Sequence, residues 1–416
     1  MTRNDAVNRP ARHASGGRVR VTGIGAMTPL GDDASSLWSG LLDGKSGVRL
    51  LTEEWAEELP VHVAAGLTVD PASLLPRTEA RKLDRGEQIA LLTAREAWRD
   101  AGAPQVEPER LAVVIGTGTG GVLTTLGQDD IFERSGARRL SPFAVPMLMP
   151  NGPAAWVSMD LGAKGGARTV VSACASGAEA LALGQDLIRA GRVDVVVAGG
   201  VEACLHPFTL AAFAQMKALS TRSADPEAVS RPFDVGRSGF VMGEGAGMMV
   251  LEREEFARAR GARGYGALAG GAVSSSADHI TASDTDGQVL AMELALRDAG
   301  LAPADIGVVH AHATSTESGD LAEAEAIARV IGDHAAVTAT KSMTGHMLGA
   351  SGTIGAMAAL LALRDGTLPA TLNLDEPDPR VRLDVVRGEP RTGQWPAALA
   401  NSFGFGGHNV TLVLTR

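Results

Sequence analysis

Cys174 stands in VVSACASGAEALALGQDLIRAG, where a β-branched run ends and a strongly helical segment begins one residue later. A sulfur placed there meets the unpaired N–H groups and the positive end of a helix, which favour thiolate and make it a nucleophile toward a thioester. Ala173, Ala175 and Gly177 leave room for a substrate beside it. His312 lies in VVHAHATSTESGD, after an apolar run and among small residues, a setting from which an imidazole projects into a crevice. His346 lies in TATKSMTGHMLGASG, five residues after Lys341, between a β-like run and an Ala/Gly-rich helix. Neutral imidazoles donating Nε2–H can hold a thioester carbonyl and stabilise an enolate as carbon dioxide leaves, and Lys341 adds fixed positive charge. Together these groups suit carbon–carbon bond formation between acyl thioesters, with Cys174 carrying the acyl chain.

Each residue also has a plainer reading. A free cysteine is commonly a small buried hydrophobe, His310 or His312 can cap a turn, and Lys341 can be a solvated charge. Co-occurrence in similar strand-to-helix settings favours the site, whereas Cys204, with no motif around it, keeps the plainer reading. Two resemblances to phosphate loops are set aside. Gly116, Gly118 and Gly121 fit G-x-G-x-x-G after a strand, but no helix and acidic strand end follow at the required spacing. Gly44-Lys45-Ser46 has no strand before it, and Ser39 holds the place of the earlier glycine.

The elements that must position these residues can be read from pattern. Short strands are expected at Val19 to Ile24, Leu111 to Ile115 and Val193 to Val197, and a helix with one apolar face at Gln88 to Ala101. Strands alternating with helices imply crossover units in an α/β protein, a class that 51 glycines and few aromatics also favour. SGFVMGEGAGMMVLE from Ser238 and NSFGFGGHNVTLVLT from Asn401 are each a glycine-rich turn feeding a final apolar strand. AVVIGTGTG from Ala112 and VVHAHATST from Val308 make a second pair, with helices opening later near Ala175 and Ala350. Two related halves follow, 19–264 carrying the nucleophile and 265–416 carrying the histidines and lysine. Such a repeat brings the carboxyl ends of its inner strands into one crevice.

With 416 residues, 45% of them apolar, the chain can bury a large core. A net charge of −10 argues against a general nucleic-acid binder. Two cysteines are too few for a disulfide framework or a four-cysteine zinc site and suit a reducing compartment, so a cytoplasmic protein is expected. Residues 1–18 contain Arg3, Arg9, Arg12 and Arg18 without an apolar run, and are expected to be a disordered extension and not a signal peptide. Leu140 to Met159 is broken by four prolines, and Met347 to Leu363 falls short of the roughly 20 residues that a membrane span needs.

SACASG around Cys174, AHATST around His312, KSMTGH from Lys341 and NSFGFGGHN from Asn401 resemble the β-ketoacyl-acyl carrier protein synthases, in the type I/II branch of the thiolase superfamily. The similarity runs from about Val19 to the carboxyl end. It implies a thiolase-like five-layered αβαβα fold made of two repeats, and a dimer built through the first half. It further implies that Cys174 takes the acyl group from an acyl carrier protein, with the amides of Cys174 and Phe405 forming the oxyanion hole. His312 and His346 would then assist decarboxylation of malonyl-acyl carrier protein. Lys341 matches the family's site lysine, with Glu323 as its partner carboxylate. Thr314 and Thr316 match residues that bind the phosphopantetheine arm, which arrives on the carrier, so no bound cofactor or metal is expected. Phe405 matches a gating phenylalanine on a glycine-rich loop, and Phe403 helps shape the gate. Arg81, Lys82, Arg138, Arg139 and Lys217 are similar to basic carrier-docking positions. Two departures stand out. Thr119 replaces a bulky aliphatic near the end of the acyl pocket, implying a longer or more polar chain, and Ser276 replaces an aspartate in a second mobile loop, with Asp278 a candidate to compensate.

The first expectation is therefore an elongating enzyme of fatty-acid synthesis. The alternative is the ketosynthase subunit of a dissociated (type II) polyketide synthase. The partner protomer would be an identical chain in the first case, or a chain-length factor in the second. A thiolase is disfavoured because GFGGHN near the carboxyl end lacks a second cysteine, and the third synthase class pairs histidine with asparagine instead. A non-catalytic partner subunit is disfavoured by Cys174 itself.

Overall fold

The computed structural model describes residues 17–416, so most of the expected extension at 1–18 lies outside the described residues. Five strands of the first half are β1 (Val19–Met27), β2 (Leu111–Gly116), β3 (Ala167–Val170), β4 (Val195–Glu202) and β5 (Gly245–Arg253). The second half supplies β6 (Gly266–Ser275), β7 (Ile306–His310), β8 (Ala336–Thr338), β9 (Ala397–Gly404) and β10 (His408–Thr415). The strand order is β3-β2-β4-β5-β1 in one half and β8-β7-β9-β10-β6 in the other. In each, the first three strands are parallel and the last two antiparallel to their neighbours. The same order and polarity occur twice, so the duplication read from the glycine-rich turns is a duplication of whole sheets. The two sheets meet where Val19, Arg20 and Val21 pair with Leu268, Ala267 and Gly266, and the short strand Asp384–Val385 extends the far edge.

Helix α1 (Arg85–Asp100) packs on β1, β4 and β5, with α2 (Gly152–Leu161) beside it. Helices α4 (Thr285–Ala299) and α5 (Glu317–Val330) pair on the outer face of the second sheet. Between the sheets lie α3 (Ser176–Arg189) and α6 (Ser351–Asp365), which touch each other and strands of both halves. This is the five-layered αβαβα arrangement. The central helix α6 is buried from Ser351 to Leu363, which explains why its sequence is apolar on every side yet short of a membrane span. Among the described residues, no helix is long and apolar enough to cross a membrane.

Helix α1 starts three residues before the expected Gln88, because Asp84 caps it and Glu87 closes a reciprocal capping box. The strand expected at Val193 to Val197 instead runs Val195–Glu202. Gly199 and Gly200 continue it because neighbouring backbone leaves no room there for a side chain: a Cβ on Gly200 would lie 2.2 Å from the Gly349 carbonyl oxygen. Gly116, from the rejected dinucleotide pattern, likewise sits against backbone, with the Ser176 carbonyl oxygen 2.2 Å from the place of a Cβ.

Candidate active site

The crevice between the halves is built from strand ends and helix starts. Beyond β3, Ala173–Ala175 forms a single 3₁₀ turn leading into α3, and Ala173 holds a left-handed φ of +51°. That costly conformation for a residue with a Cβ turns Cys174 toward the cavity ahead of the helix. His312 lies two residues past β7, and His346 lies between the turn Lys341–Thr344 and α6. Cys174, His312 and His346 line one cavity, with Phe403 and Phe405. The imidazole centroids of His312 and His346 are 5.4 Å apart with planes at 87°, and Phe240 and Phe403 pack edge-on against them.

The hydrogen bonds around the two histidines differ. Ser351 Oγ lies 3.0 Å from His346 Nδ1, while His346 Nε2 is buried with no partner among the described residues. Lys341 Nζ donates to the His312 carbonyl and stands 3.4 Å from His312 Nδ1. An ammonium has only donors, so His312 Nδ1 faces it as the acceptor and Nε2 carries the proton. Burial, then the positive charge of Lys341, hold both imidazoles well below the usual histidine range. Lys341 is itself buried and is pushed down to about 8, with Glu323 and Cys174 opposing the shift. It is not a solvated charge.

The sequence expectation for Cys174 is corrected. Burial pushes its thiol up to about 12, and neither Lys341 nor the backbone N–H groups of Phe405 and Cys174 directed at the sulfur outweigh that loss of solvent. A helix start alone sets a local field, whereas the ionisation also depends on how much water the tertiary fold leaves. Cys174 is therefore held as a thiol.

Two family models cover the chain, "Beta-ketoacyl synthase, N-terminal domain" over residues 17–257 and "Beta-ketoacyl synthase, C-terminal domain" over 265–375. The chain belongs to the β-ketoacyl synthase family. The synthase is 43% identical over 404 residues to 3-oxoacyl-(acyl-carrier-protein) synthase 2 of Mycobacterium tuberculosis, covering 96% of this chain and 97% of that one. It is 41% identical to the protein of the same name from Synechocystis, covering 96% and 98%. Among solved structures, a β-ketoacyl synthase from Burkholderia phymatum superposes with a TM-score of 0.90 at 34% identity, covering 96% of this chain and 99% of that one. The ishigamide ketosynthase/chain length factor superposes with a TM-score of 0.90 at 32% identity and the same coverage. The synthase is accordingly an acyl-transferring condensing enzyme.

Glu323 acts on Lys341 through its charge and makes its hydrogen bonds elsewhere. Its oxygens accept from the backbone N–H groups of His312 at 2.7 Å and Ala313 at 2.6 Å, and from Asn401 Nδ2 at 3.2 Å. It therefore fixes the loop bearing His312 and reaches Lys341 only through its field. The hydroxyls of Thr314 and Thr316 are 3.0 Å apart and both line the cavity. Phe405 borders the cavity and also an outer groove that includes Lys217 and Arg237. Of the five basic positions, Lys217 is the one at this mouth; Arg81, Arg138 and Arg139 are exposed elsewhere, and Lys82 stands over the Phe143 ring. Thr119 does not line the cavity of this chain: it is exposed, and its hydroxyl is held 2.6 Å from Glu202.

Glu202 escapes notice in the sequence, although it is fully buried. It accepts from the N–H groups of Gly118, Thr119 and Gly349 and the hydroxyls of Thr117 and Thr119, tying the two halves together behind Cys174. Its signal is a lone acid closing the apolar run VVVAGGVE. In the second loop, Ser276 Oγ accepts from Asn409 Nδ2 at 3.0 Å, and the carboxylate of this segment that lines the cavity is Asp284, whereas Asp278 is exposed outside it. Cys204 keeps its structural reading, buried against the Met242 sulfur at 3.8 Å.

The loop from Gly404 to Gly407 is held to the second loop by Gly406 N–H to the Ile280 carbonyl at 2.7 Å and Ser276 N–H to the Gly407 carbonyl at 2.9 Å. Gly406 and Gly407 have φ of +88° and +72°, conformations that glycine adopts without strain. A Cβ on Gly404 would lie 2.5 Å from the Ser172 carbonyl oxygen and 3.2 Å from the Cys174 nitrogen. Gly404→Ala is expected to push the Phe405 amide off the sulfur and slow acylation of Cys174 by about tenfold or more, the scale of a lost oxyanion donor. Time-resolved intact-mass measurement of the acyl adduct checks this, and unchanged acylation would refute the placement.

Proposed function

We propose that this synthase elongates acyl chains on acyl carrier protein in fatty-acid synthesis, with Cys174 as acyl carrier and His312 and His346 as the decarboxylation pair. The observation that carries the reading is the one cavity in which the thiol, two neutral imidazoles and the Phe405 amide converge. In the first half-reaction the Cys174 sulfur attacks the thioester carbonyl of the incoming acyl group. The new S–C bond replaces the bond to the phosphopantetheine sulfur, and the proton lost by Cys174 ends on that departing thiol. No net proton is released, so a resting thiol is compatible with the step.

In the second half-reaction malonyl thioester enters past Thr314 and Thr316. Its carboxylate leaves as carbon dioxide, and the electron pair passes to an enolate whose oxygen is held by Nε2–H of His312 and His346. The enolate carbon attacks the acyl-Cys174 carbonyl, whose developing charge is taken by the N–H groups of Cys174 and Phe405. Collapse releases the 3-ketoacyl product and a Cys174 thiolate, which takes one proton from solvent to restore the thiol. Lys341, kept within a dry site, favours the neutral form of both histidines and stabilises the enolate's charge. Lys217 at the mouth supplies local attraction for an acidic carrier despite the net charge of −10. The partner protomer in this reading is a second copy of the chain, docked through the first half, and the free thiols fit a cytoplasmic enzyme.

Identity of 40–43% to synthases named for 3-oxoacyl-acyl-carrier-protein synthesis, against 30% to the ketosynthase of a type II polyketide synthase, favours the fatty-acid reading over the polyketide one. A competition assay among acyl-carrier proteins bearing saturated, 3-keto and polyenoyl chains tests this. Preference for saturated chains is the expected result, and preference for keto or polyenoyl chains transfers the enzyme to polyketide assembly.

A further inference from the structure

His310 is the last residue of β7, 2% exposed, and lies behind the catalytic cavity instead of in it. Its Nε2 is 2.8 Å from Thr340 Oγ1. Its Nδ1 is buried without a partner within hydrogen-bond reach among the described residues. Facing that nitrogen is Gly355, in the middle of α6, where a Cβ would lie 2.7 Å from Nδ1 and 2.8 Å from Cε1. Glycine is a poor interior helix residue beside alanine, so a glycine in a packed central helix calls for a steric reason. The imidazole is that reason: ring and glycine fill one space between β7 and α6.

The other side of the ring leads to the active site. Thr340 immediately precedes Lys341, and its carbonyl accepts the N–H groups of Met343 and Thr344, starting the turn Lys341–Thr344. From that turn the ammonium reaches the His312 carbonyl and stands 3.4 Å from His312 Nδ1. We propose that His310, seated on Gly355, is a positioning residue that holds Thr340 and thereby aims the Lys341 ammonium at His312. Burial, then the charge of Lys341, push His310 down to about 3, so it serves as a neutral hydrogen-bonding wedge and not as a second cation. Lys341, His312, His346, Glu323, Asp320 and Cys174 are the titratable groups around this contact, and His310 is buried with them.

The inference rests on the decarboxylation role proposed above for Lys341 and His312, and the test separates the two. Malonyl-carrier decarboxylation is followed against pH in wild type, His310→Ala, His310→Gln, Gly355→Ala and the His310→Ala/Gly355→Ala double variant. Decarboxylation in wild type is the control for the proposed function itself; its absence removes that reading, whatever His310 does. Given wild-type activity, His310→Ala is expected to lower kcat about tenfold with little change in KM. It should also move the alkaline limb upward as water reaches Lys341. Gln places an amide near the position of Nε2 and should restore the limb and most of the rate. Gly355→Ala should impair the enzyme only while the ring is present, so adding it to His310→Ala should cost nothing further. A merely structural histidine would lower yield or melting temperature and leave the alkaline limb of the folded fraction unmoved. That result, or equal damage from Gly355→Ala in both backgrounds, overturns the proposal.

Discussion

Cys174→Ala is expected to reduce condensation at least about 10⁴-fold, the scale on which enzymes lose turnover when a covalent nucleophile is deleted. The loss should be confined to one half of the chemistry. Cys174 contributes a sulfur and a backbone amide, and alanine keeps the amide and the helix start. The fold should survive, because the side chain is small and Ala173 and Ala175 on either side hold the turn. His312, His346 and Lys341 are held by Glu323, Ser351 and one another, and do not depend on the sulfur for their placement. Decarboxylation of malonyl-carrier protein should therefore continue while no acyl adduct forms. Intact mass after incubation with acyl-carrier protein and release of carbon dioxide from malonyl-carrier protein measure the two halves separately. Retained 3-ketoacyl product, or an adduct on Cys204 in the variant, would refute the assignment of the nucleophile.

The site was legible in sequence to the extent that its residues sit at junctions. A nucleophile between a β-branched run and a helix, and histidines beside small residues, are local patterns, and the repeat of a glycine-rich turn before an apolar strand revealed the duplication. What lay outside sequence was set by contacts between distant segments. The thiol pKa depends on burial that α6 and the Phe405 loop impose on Cys174. Glu323 acts on Lys341 by charge, but its hydrogen bonds to the N–H groups of His312 and Ala313 are not visible in any local pattern. Thr119, expected at the pocket end, is turned to Glu202, a residue whose partners come from positions 117–119 and 349. The strand β4 runs past Val197 through Gly199 and Gly200, whose missing side chains make room for the backbone of Gly247 and Gly349.

His346→Ala should lower malonyl decarboxylation by about 10²–10³-fold, the range for removing one preorganised donor to a developing oxyanion, while leaving acylation of Cys174 within a few-fold of wild type. The asymmetry follows from geometry. In the proposed reading Ser351 Oγ donates to His346 Nδ1, which leaves the proton on the buried, unpartnered Nε2, ready for an oxygen that becomes negative only as carbon dioxide departs. His312→Ala should behave alike, with an added penalty because Lys341 loses its neighbour. The pH dependence separates this arrangement from ordinary histidine acid catalysis. Both imidazoles are held well below 6.5, so decarboxylation should stay level as pH falls from neutrality through 6.5, where a solvated histidine would gain a proton. Lys341 is pushed down to about 8, so its charge is present below that pH and is lost above it. Decarboxylation should therefore fall as pH rises through about 8. A rate that instead drops on acidification near 6.5 would mean that an imidazole titrates as in water, and would sink the reading of His312 and His346 as neutral donors in a dry, lysine-guarded pocket.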